Sequence, residues 1–417
     1  MKTTNKQFDV AVIGAGPAGM MAAIRAAKLG ASVVLIEKNR LFGKKLLMTG
    51  KGRCNITNAK YSDQDFISKL GKNGKFLFSS LNNFGPKDVT TFFKQNGLET
   101  KTERGGRVFP VSNNANDVVD VLRNNLQKFN VEIKSGKKIK ELSTKDEKIE
   151  SVNFAKGKIC AKNFIICTGG KSYSSTGSTG DGYEWTNKLG HTIIPPSPAL
   201  VPLVTKGSWA KQLQGLSLKN VQLNVFQDNK KRQSRFGEML FTHQGISGPI
   251  VLDVSKEIGK LLRKGKVLVK IDLKPALDWT KLDKRLQRDL ETEAKKDFKN
   301  YLPSLLPKKM IDVFIKLSQI KPDKKLHSID KTERKKIAHL LKELTFEVKE
   351  LAGFDQAIIT SGGVDLREVD SKTMRSRKIE NLFFAGEILD LDGPTGGFNL
   401  QICWSTGFAA GTNAAEK

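Results

Sequence analysis

The 417-residue chain is poor in cysteine, histidine and acidic side chains, and it has no long apolar run. Its four cysteines (Cys54, Cys160, Cys167 and Cys403) are scattered and form no CxxC pair. That excludes a disulfide framework, a dithiol redox centre and a zinc ribbon. No stretch of about 18 apolar residues occurs, which excludes a membrane-spanning helix. The polar start leads straight into a strand, and the apolar stretch after it is broken by glycines and Arg25, so no secretory leader is read. A reduced, cytoplasmic, membrane-free protein is expected. Acids number 43 against 71 bases, giving a formal net charge of +28. Lys256 to Glu350 alone hold 26 bases and 15 acids. Such an excess serves either as solvated surface or as an electrostatic footprint for a polyanion, foremost nucleic acid. Apolar residues at 38% exclude a disordered chain, and the length predicts two or three domains.

The most informative segment comes first. Phe8–Ile13 reads as a short buried strand, Gly14-Ala15-Gly16-Pro17-Ala18-Gly19 as a glycine turn, and Met20–Leu29 as a helix. A second strand ends at Glu37, 23 residues after Gly14. Gly14 would make the tight turn, Gly16 would let a pyrophosphate approach the backbone, and Gly19 would let the helix pack close. The helix start at Pro17 and Ala18 offers N–H groups and partial positive charge to phosphates. Glu37 would accept ribose hydroxyls, and an acid there disfavours a 2′-phosphate. FAD and NAD both remain open at this motif. The acid-free loop that follows, with Lys38, Arg40, Lys44, Lys45, Lys51 and Arg53, suits the rest of a long anionic cofactor.

Farther on, strand Asn163–Cys167 ends at Thr168-Gly169, where small residues let backbone meet the cofactor. Ser172–Gly182 is a long Gly/Ser/Thr loop of the kind that is usually functional. Four prolines between Pro195 and Pro202 read as a domain crossover. Alternating segments at Leu216–Phe226, Phe236–Thr242 and Lys266–Leu273 predict a small antiparallel β domain, and Trp279–Leu344 is helical and basic. Ala357–Ile359 reads as a strand followed by Thr360-Ser361-Gly362-Gly363. Leu382–Ala385 reads as a strand ending in Gly386-Glu387, then a glycine loop and a helix from Phe398.

In order, GAGPAG, GKKLLMTGKGRCNITN, GRVFP, CTGGKSYSSTGSTGDGY, GEMLFTHQGISGP, TSGGV and NLFFAGEILDLDGPTGGFNLQ resemble the aminoacetone-oxidase-like family of FAD-binding flavoproteins, within the two-dinucleotide-binding-domain superfamily. The resemblance covers nearly the whole chain. It implies bound FAD and an α/β architecture. A Rossmann-like FAD-binding domain (1–190 and 355–417) would be interrupted by an inserted antiparallel β domain (191–275 and about 340–354) and a helical basic subdomain (276–339). It implies that Lys45, Arg53, Asn55 and Thr57 lie near flavin or pyrophosphate and Ile139 near adenine. Gly386 and Glu387 would lie near ribitol and phosphate, and Gly397, Phe398, Asn399 and Leu400 near the flavin ring. Ser174 stands where the family has proline and Lys51 where glycine is common.

No second GxGxxG occurs, so a nicotinamide donor, NAD(P)H, would dock directly against the flavin. His243, in a glycine-rich turn, is the leading acid–base candidate among four histidines, with a structural role as the alternative. Cys54 beside Arg53 would have a lowered pKa and could donate a proton opposite a hydride, or be a small packed residue. The family's activities include amine oxidation, reduction of bile-acid-type enones and dihydrouridine formation in ribosomal RNA. The charge favours a uracil base of ribosomal RNA, contacted through the basic insert and reduced with NAD(P)H. The alternatives are a small-molecule flavin oxidase or reductase, and a non-catalytic RNA-binding flavoprotein. The sequence leaves oligomeric state open.

Overall fold

The computed structural model describes residues 7–416. The chain divides into two units, with breaks after Pro198 and Gln356. The first is built on a seven-stranded sheet. Strands Gln7–Ile13 and Val33–Ile36 are short runs of buried, mostly β-branched residues, as strands covered on both faces must be. They pair in parallel, Val12 opposite Leu35. Glu132–Lys134 extends the parallel part on one side, and Lys158–Ile166 on the other. Lys158–Ile166 divides its far edge between two partners. Its early residues pair antiparallel with Lys148–Phe154, and its last three pair in parallel with Leu382–Phe384 from the end of the chain.

Helix Pro17–Lys28 crosses beside the C-terminal helix Phe398–Ala414, and glycines set their approach. A Cβ on Gly407 would lie 2.4 Å from the Ala18 carbonyl oxygen, and one on Gly411 2.3 Å from that of Ala22. Any larger residue there would force the helices apart. The core around them holds Val10, Val12, Met20, Phe164, Phe384 and Trp404, all buried.

The crossover expected at the prolines falls at the end of the first unit, after Pro198. Pro195, Pro196 and Pro198 themselves lie in a strand, Ile193–Ala199, paired with Ile359–Val364 in a two-stranded sheet. Such a sheet leaves each strand a free side, where a missing N–H costs little. Thr360-Ser361-Gly362-Gly363 belongs to the second of these strands. Gly362 and Gly363 have φ of +94° and +137°, and a Cβ on Gly362 would meet the Pro195 carbonyl oxygen at 2.6 Å.

The second unit is a closed antiparallel barrel carrying helices. Its strand order is Leu203–Thr205, Gly245–Ser247, Lys230–Phe241, Ser217–Gln227, Val267–Asp272 and Leu344–Leu351. Alternate residues such as Leu223, Val225, Val269 and Phe346 fill it. Helix Trp279–Thr292 buries Leu282, Leu286 and Leu290 at four-residue spacing and is capped by the Asp278 carboxylate, which accepts from Lys281 N–H at 2.7 Å. Helix Lys331–Lys342 starts with an Asp330–Glu333 capping box. The chain is thus α/β, a Rossmann-type unit together with an antiparallel barrel and helices. No helix among the described residues is long and apolar enough to cross a membrane.

Candidate active site

The parallel strands of the first unit end at one edge of the sheet, and a cleft with about 1350 Å³ of free space opens there. Ligands of open parallel sheets bind at this edge. The cleft is lined by residues following each strand: Gly14–Ala18, Glu37–Asn39, Cys167–Gly169, and Ala385 with Glu387.

The first glycine turn is shaped by backbone alone. Gly14 has φ +101°, and a Cβ there would sit 2.6 Å from the Cys167 carbonyl oxygen. Gly16 caps the helix with extended geometry, and a Cβ there would meet nothing within 4 Å, so its backbone borders open space. A Cβ on Gly19 would lie 1.8 Å from the Gly14 carbonyl oxygen. Glu37 is buried at the cleft wall. One carboxylate oxygen accepts from Ala15 N–H at 2.9 Å, and the other from Asn39 N–H and Nδ2 at 2.8 and 2.9 Å. Lys38 lines the same stretch and pairs with Asp181 at 2.9 Å.

Farther along, Lys45 and Glu387, 342 positions apart, form an ion pair at 2.7 Å. Ser172 joins it, accepting from Lys45 Nζ at 2.6 Å and donating to Glu387 at 2.9 Å. Thr360 N–H donates to the same Glu387 oxygen at 2.8 Å. The carboxylate is held in one orientation by three elements. Thr168 Oγ1 is buried in the lining with no hydrogen-bond partner among the described residues. That oxygen is shielded from the cleft and turned towards Gly182, where a Cβ would lie 2.0 Å from it. Ile139 also lines the cleft.

The second glycine loop, Gly393–Gly397, is built differently. Asn399 Oδ1 accepts from Gly393 N–H at 2.8 Å, and its Nδ2 donates to the Gly393 and Pro394 carbonyls. Asn58 Nδ2 donates to the Gly396 carbonyl at 2.9 Å. The Asn55 amide, oriented to donate to the carbonyls of Thr57 and Val108, accepts from Gly397 N–H at 3.0 Å. Thr57 Oγ1 donates to Gln401 Oε1 at 2.5 Å. Gly397 has φ +101°, and a Cβ there would press on the Thr57 carbonyl at 2.4 Å.

Several expected residues therefore fall elsewhere. Gly14, Gly16, Pro17, Ala18, Glu37, Lys38, Lys45, Ile139, Thr168, Gly169, Glu387, Asn399 and Leu400 share the cleft lining. Asn55 and Thr57 do not line it but clamp the second glycine loop. Gly19, Gly386, Gly397 and Phe398 support the wall from behind; a Cβ on Gly386 would reach the Ala18 Cβ at 2.8 Å. Arg53 is not in the lining. Its guanidinium pairs with Glu103 at 2.8 Å and lies 4.0 Å from the Phe109 ring centroid. Two charge and stacking partners hold it where the sequence showed only a free base.

Cys54 requires a correction. It is fully buried, and burial pushes its thiol up to about 12 rather than down. Arg53 does not activate it, and no ligand can touch it. His243 is exposed in the second unit, between strands Lys230–Phe241 and Gly245–Ser247, and is not part of the cleft lining. Asn39, Ser172 and Thr360 were missed as individual residues. Their signal lay in adjacency: Asn39 follows the acid, Ser172 opens the Gly/Ser/Thr loop, and Thr360 starts the TSGGV motif.

The backbone cradle at Gly16, the enclosed acid and the lysine-bearing wall fit a dinucleotide cofactor. The comparisons with known proteins agree. Residues 8–413 match the family described as HI0933-like protein Rossmann domain. The 3-dehydro-bile acid delta(4,6)-reductase of Clostridium scindens is 32% identical over 98% of this chain and 99% of its own. The ribosomal RNA dihydrouridine synthase of Haemophilus influenzae is 30% identical over 97% of this chain and 98% of its own. Among solved structures, a 3-ketosteroid-delta4-(5alpha)-dehydrogenase from Rhodococcus jostii aligns over 100% of this chain and 99% of its own, with a TM-score of 0.56 at 14% identity, a likeness of fold. The chain belongs to the HI0933-like Rossmann family of FAD-dependent oxidoreductases.

Proposed function

We propose that this FAD-dependent oxidoreductase reduces the C5–C6 double bond of a uracil base in ribosomal RNA, with NAD(P)H as electron source. Uracil, NAD(P)H and one proton give dihydrouracil and NAD(P)⁺. Bound FAD supplies the hydride carrier between the nicotinamide and the base. The first glycine turn, from Gly14 to Gly19, holds the pyrophosphate, with N–H groups of the helix start facing it. Glu37 takes the adenosine ribose, exchanging its contacts with Ala15 and Asn39 for hydroxyl donors. Lys45, fixed by Glu387 and Ser172, puts positive charge beside the anionic linker. Asn399 and Leu400 would border the ring, at the start of the helix that follows the loop held by Asn55 and Asn58.

The observation that carries the RNA reading is the net charge of +28, which a small neutral substrate does not call for. The relatives that act on ribosomal RNA, similar over nearly their full length, are consistent with it. A second reading, reduction of a small enone of the steroid type, is favoured by the 32% identical bile-acid reductase. Ribosomal RNA from a deletion strain decides between them. A dihydrouridine lost on deletion and restored by the gene supports the RNA reading, and an unchanged modification level removes it. NAD(P)H-dependent reduction of a 3-keto-4-ene steroid by the purified protein would then support the second.

A further inference from the structure

The six bases from Lys38 to Arg53 look equivalent in sequence, and the fold sorts them. Lys38 pairs with Asp181 at 2.9 Å, Lys45 with Glu387 at 2.7 Å and Arg53 with Glu103 at 2.8 Å. Arg40 and Lys51 are exposed and lie outside the cleft lining. Lys44 is left. It lines the cleft, is half-buried, and makes no ion pair or side-chain hydrogen bond among the described residues.

The residue before it fixes its place. Gly43 has φ +72°, and a Cβ there would lie 3.2 Å from Val119 Cγ2 and 3.6 Å from Met20 Cε. A left-handed turn pressed against helices Pro17–Lys28 and Ala115–Lys128 calls for glycine. Gly43 N–H donates to the Ala15 carbonyl at 3.0 Å. That bond ties the start of the short helix Lys44–Met48 to the first glycine turn, whose backbone borders open space at Gly16.

The charge balance of the lining points the same way. The pairs Lys38–Asp181 and Lys45–Glu387 each cancel, so they bring little net charge to an anionic ligand. Glu37 is met by the N–H groups of Ala15 and Asn39. The cations of the lining without a partner among the described residues are Lys44 and Lys137, and Lys137 is exposed. An ordinary solvated lysine belongs on such a rim. A half-buried ammonium without a counter-charge gives up part of its hydration for nothing. A dinucleotide supplies the counter-charge, because each phosphate of its linker is anionic and a helix start offers only about half an elementary charge. Resting on the placement of the FAD pyrophosphate at the glycine turn, we propose that Lys44 is the residue that neutralises the cofactor's diphosphate, while its neighbour Lys45 holds Glu387 in place. A compact ammonium on a flexible stem suits a phosphate that the backbone already orients.

The test uses the purified holoenzyme and follows release of FAD by its fluorescence across a salt series. Lys44→Gln is expected to release FAD about tenfold faster than wild type at low ionic strength, and the gap should narrow as salt screens the lost charge. Lys44→Arg, which keeps the charge, should stay within about threefold of wild type. Lys137→Gln should also stay within about threefold, because a rim charge acts on association more than on release. The assignment is overturned by a Lys44→Gln rate no faster than these controls, by a Lys44→Arg rate equal to that of Lys44→Gln, or by an equal acceleration in Lys137→Gln. If Glu37→Ala still releases FAD faster in any of those cases, the placement of the cofactor stands; unchanged release in both Lys44→Gln and Glu37→Ala overturns the placement as well. Should Lys44→Gln purify without flavin, Lys44→Arg decides: a yellow protein supports the assignment and a colourless one overturns it. Melting temperature and far-ultraviolet dichroism of each variant show whether it is folded.

Discussion

The two glycine loops of the cleft look alike in sequence and are stabilised in opposite ways. Gly14–Gly19 is shaped by backbone: by the positive φ of Gly14 and by carbonyl oxygens of Cys167 and Gly14 lying where a Cβ on Gly14 or Gly19 would go. Gly393–Gly397 depends on side chains more than 300 positions away, through Asn55 and Asn58. The first loop can therefore be recognised from a few residues. The second acquires its form only when the whole first unit is assembled.

Substitutions should separate the two. The largest effect is expected from Gly14→Ala, which combines a strained φ with a clash against Cys167. A loss of about 3 kcal/mol in stability is expected, together with loss of flavin from the purified protein. A yellow, normally stable Gly14→Ala protein would contradict the backbone account of this loop. Glu37→Ala should come next, weakening FAD binding about 10- to 100-fold by calorimetry, the scale of charge-assisted hydrogen bonds. Full flavin occupancy after purification would contradict the ribose assignment.

Asn58→Ala probes the dependent loop. It strips a partner from Gly105, Gly396 and Lys60, and should cost about 2 kcal/mol in denaturant unfolding. No change would mean that the second loop is as autonomous as the first.

Cys54→Ala should have the smallest effect, about 1 kcal/mol of packing with turnover unchanged. The thiol also sets a pH dependence. Its value in the fold, about 12, lies above the ordinary 9.0. Its contribution to stability is complete below pH 9 and declines as pH rises from there toward 12. Thermal melts of wild type and Cys54→Ala should diverge in that window. Parallel curves would show that the thiol titrates normally.

What was legible in the sequence was what local geometry decides. The first glycine turn, Glu37 at the end of its strand, and the alternation in Leu216–Phe226 all depend on neighbours a few residues away. Misreadings arose where tertiary partners decide. Arg53 looked like a free base because Glu103 and Phe109 lie about 50 positions on. Cys54 looked activated because burial cannot be seen in a string of letters. The prolines after Ile194 marked the crossover at Pro198, but the strand they form was hidden because its partner, Ile359–Val364, lies far away in the chain.

The parallel sheet also sets an order of events during synthesis. Strand Lys158–Ile166 must leave the ribosome and wait for Leu382–Phe384, more than 200 residues behind it, and helix Pro17–Lys28 must wait longer still for Phe398–Ala414. Throughout that interval the nascent chain exposes one flank of its nucleotide fold. The barrel, all of whose strands lie between Leu203 and Leu351, has every partner it needs first. Coenzyme capture is therefore a late event on this protein, and stalled or shortened translation products will accumulate as colourless chains with a finished barrel and an unfinished sheet.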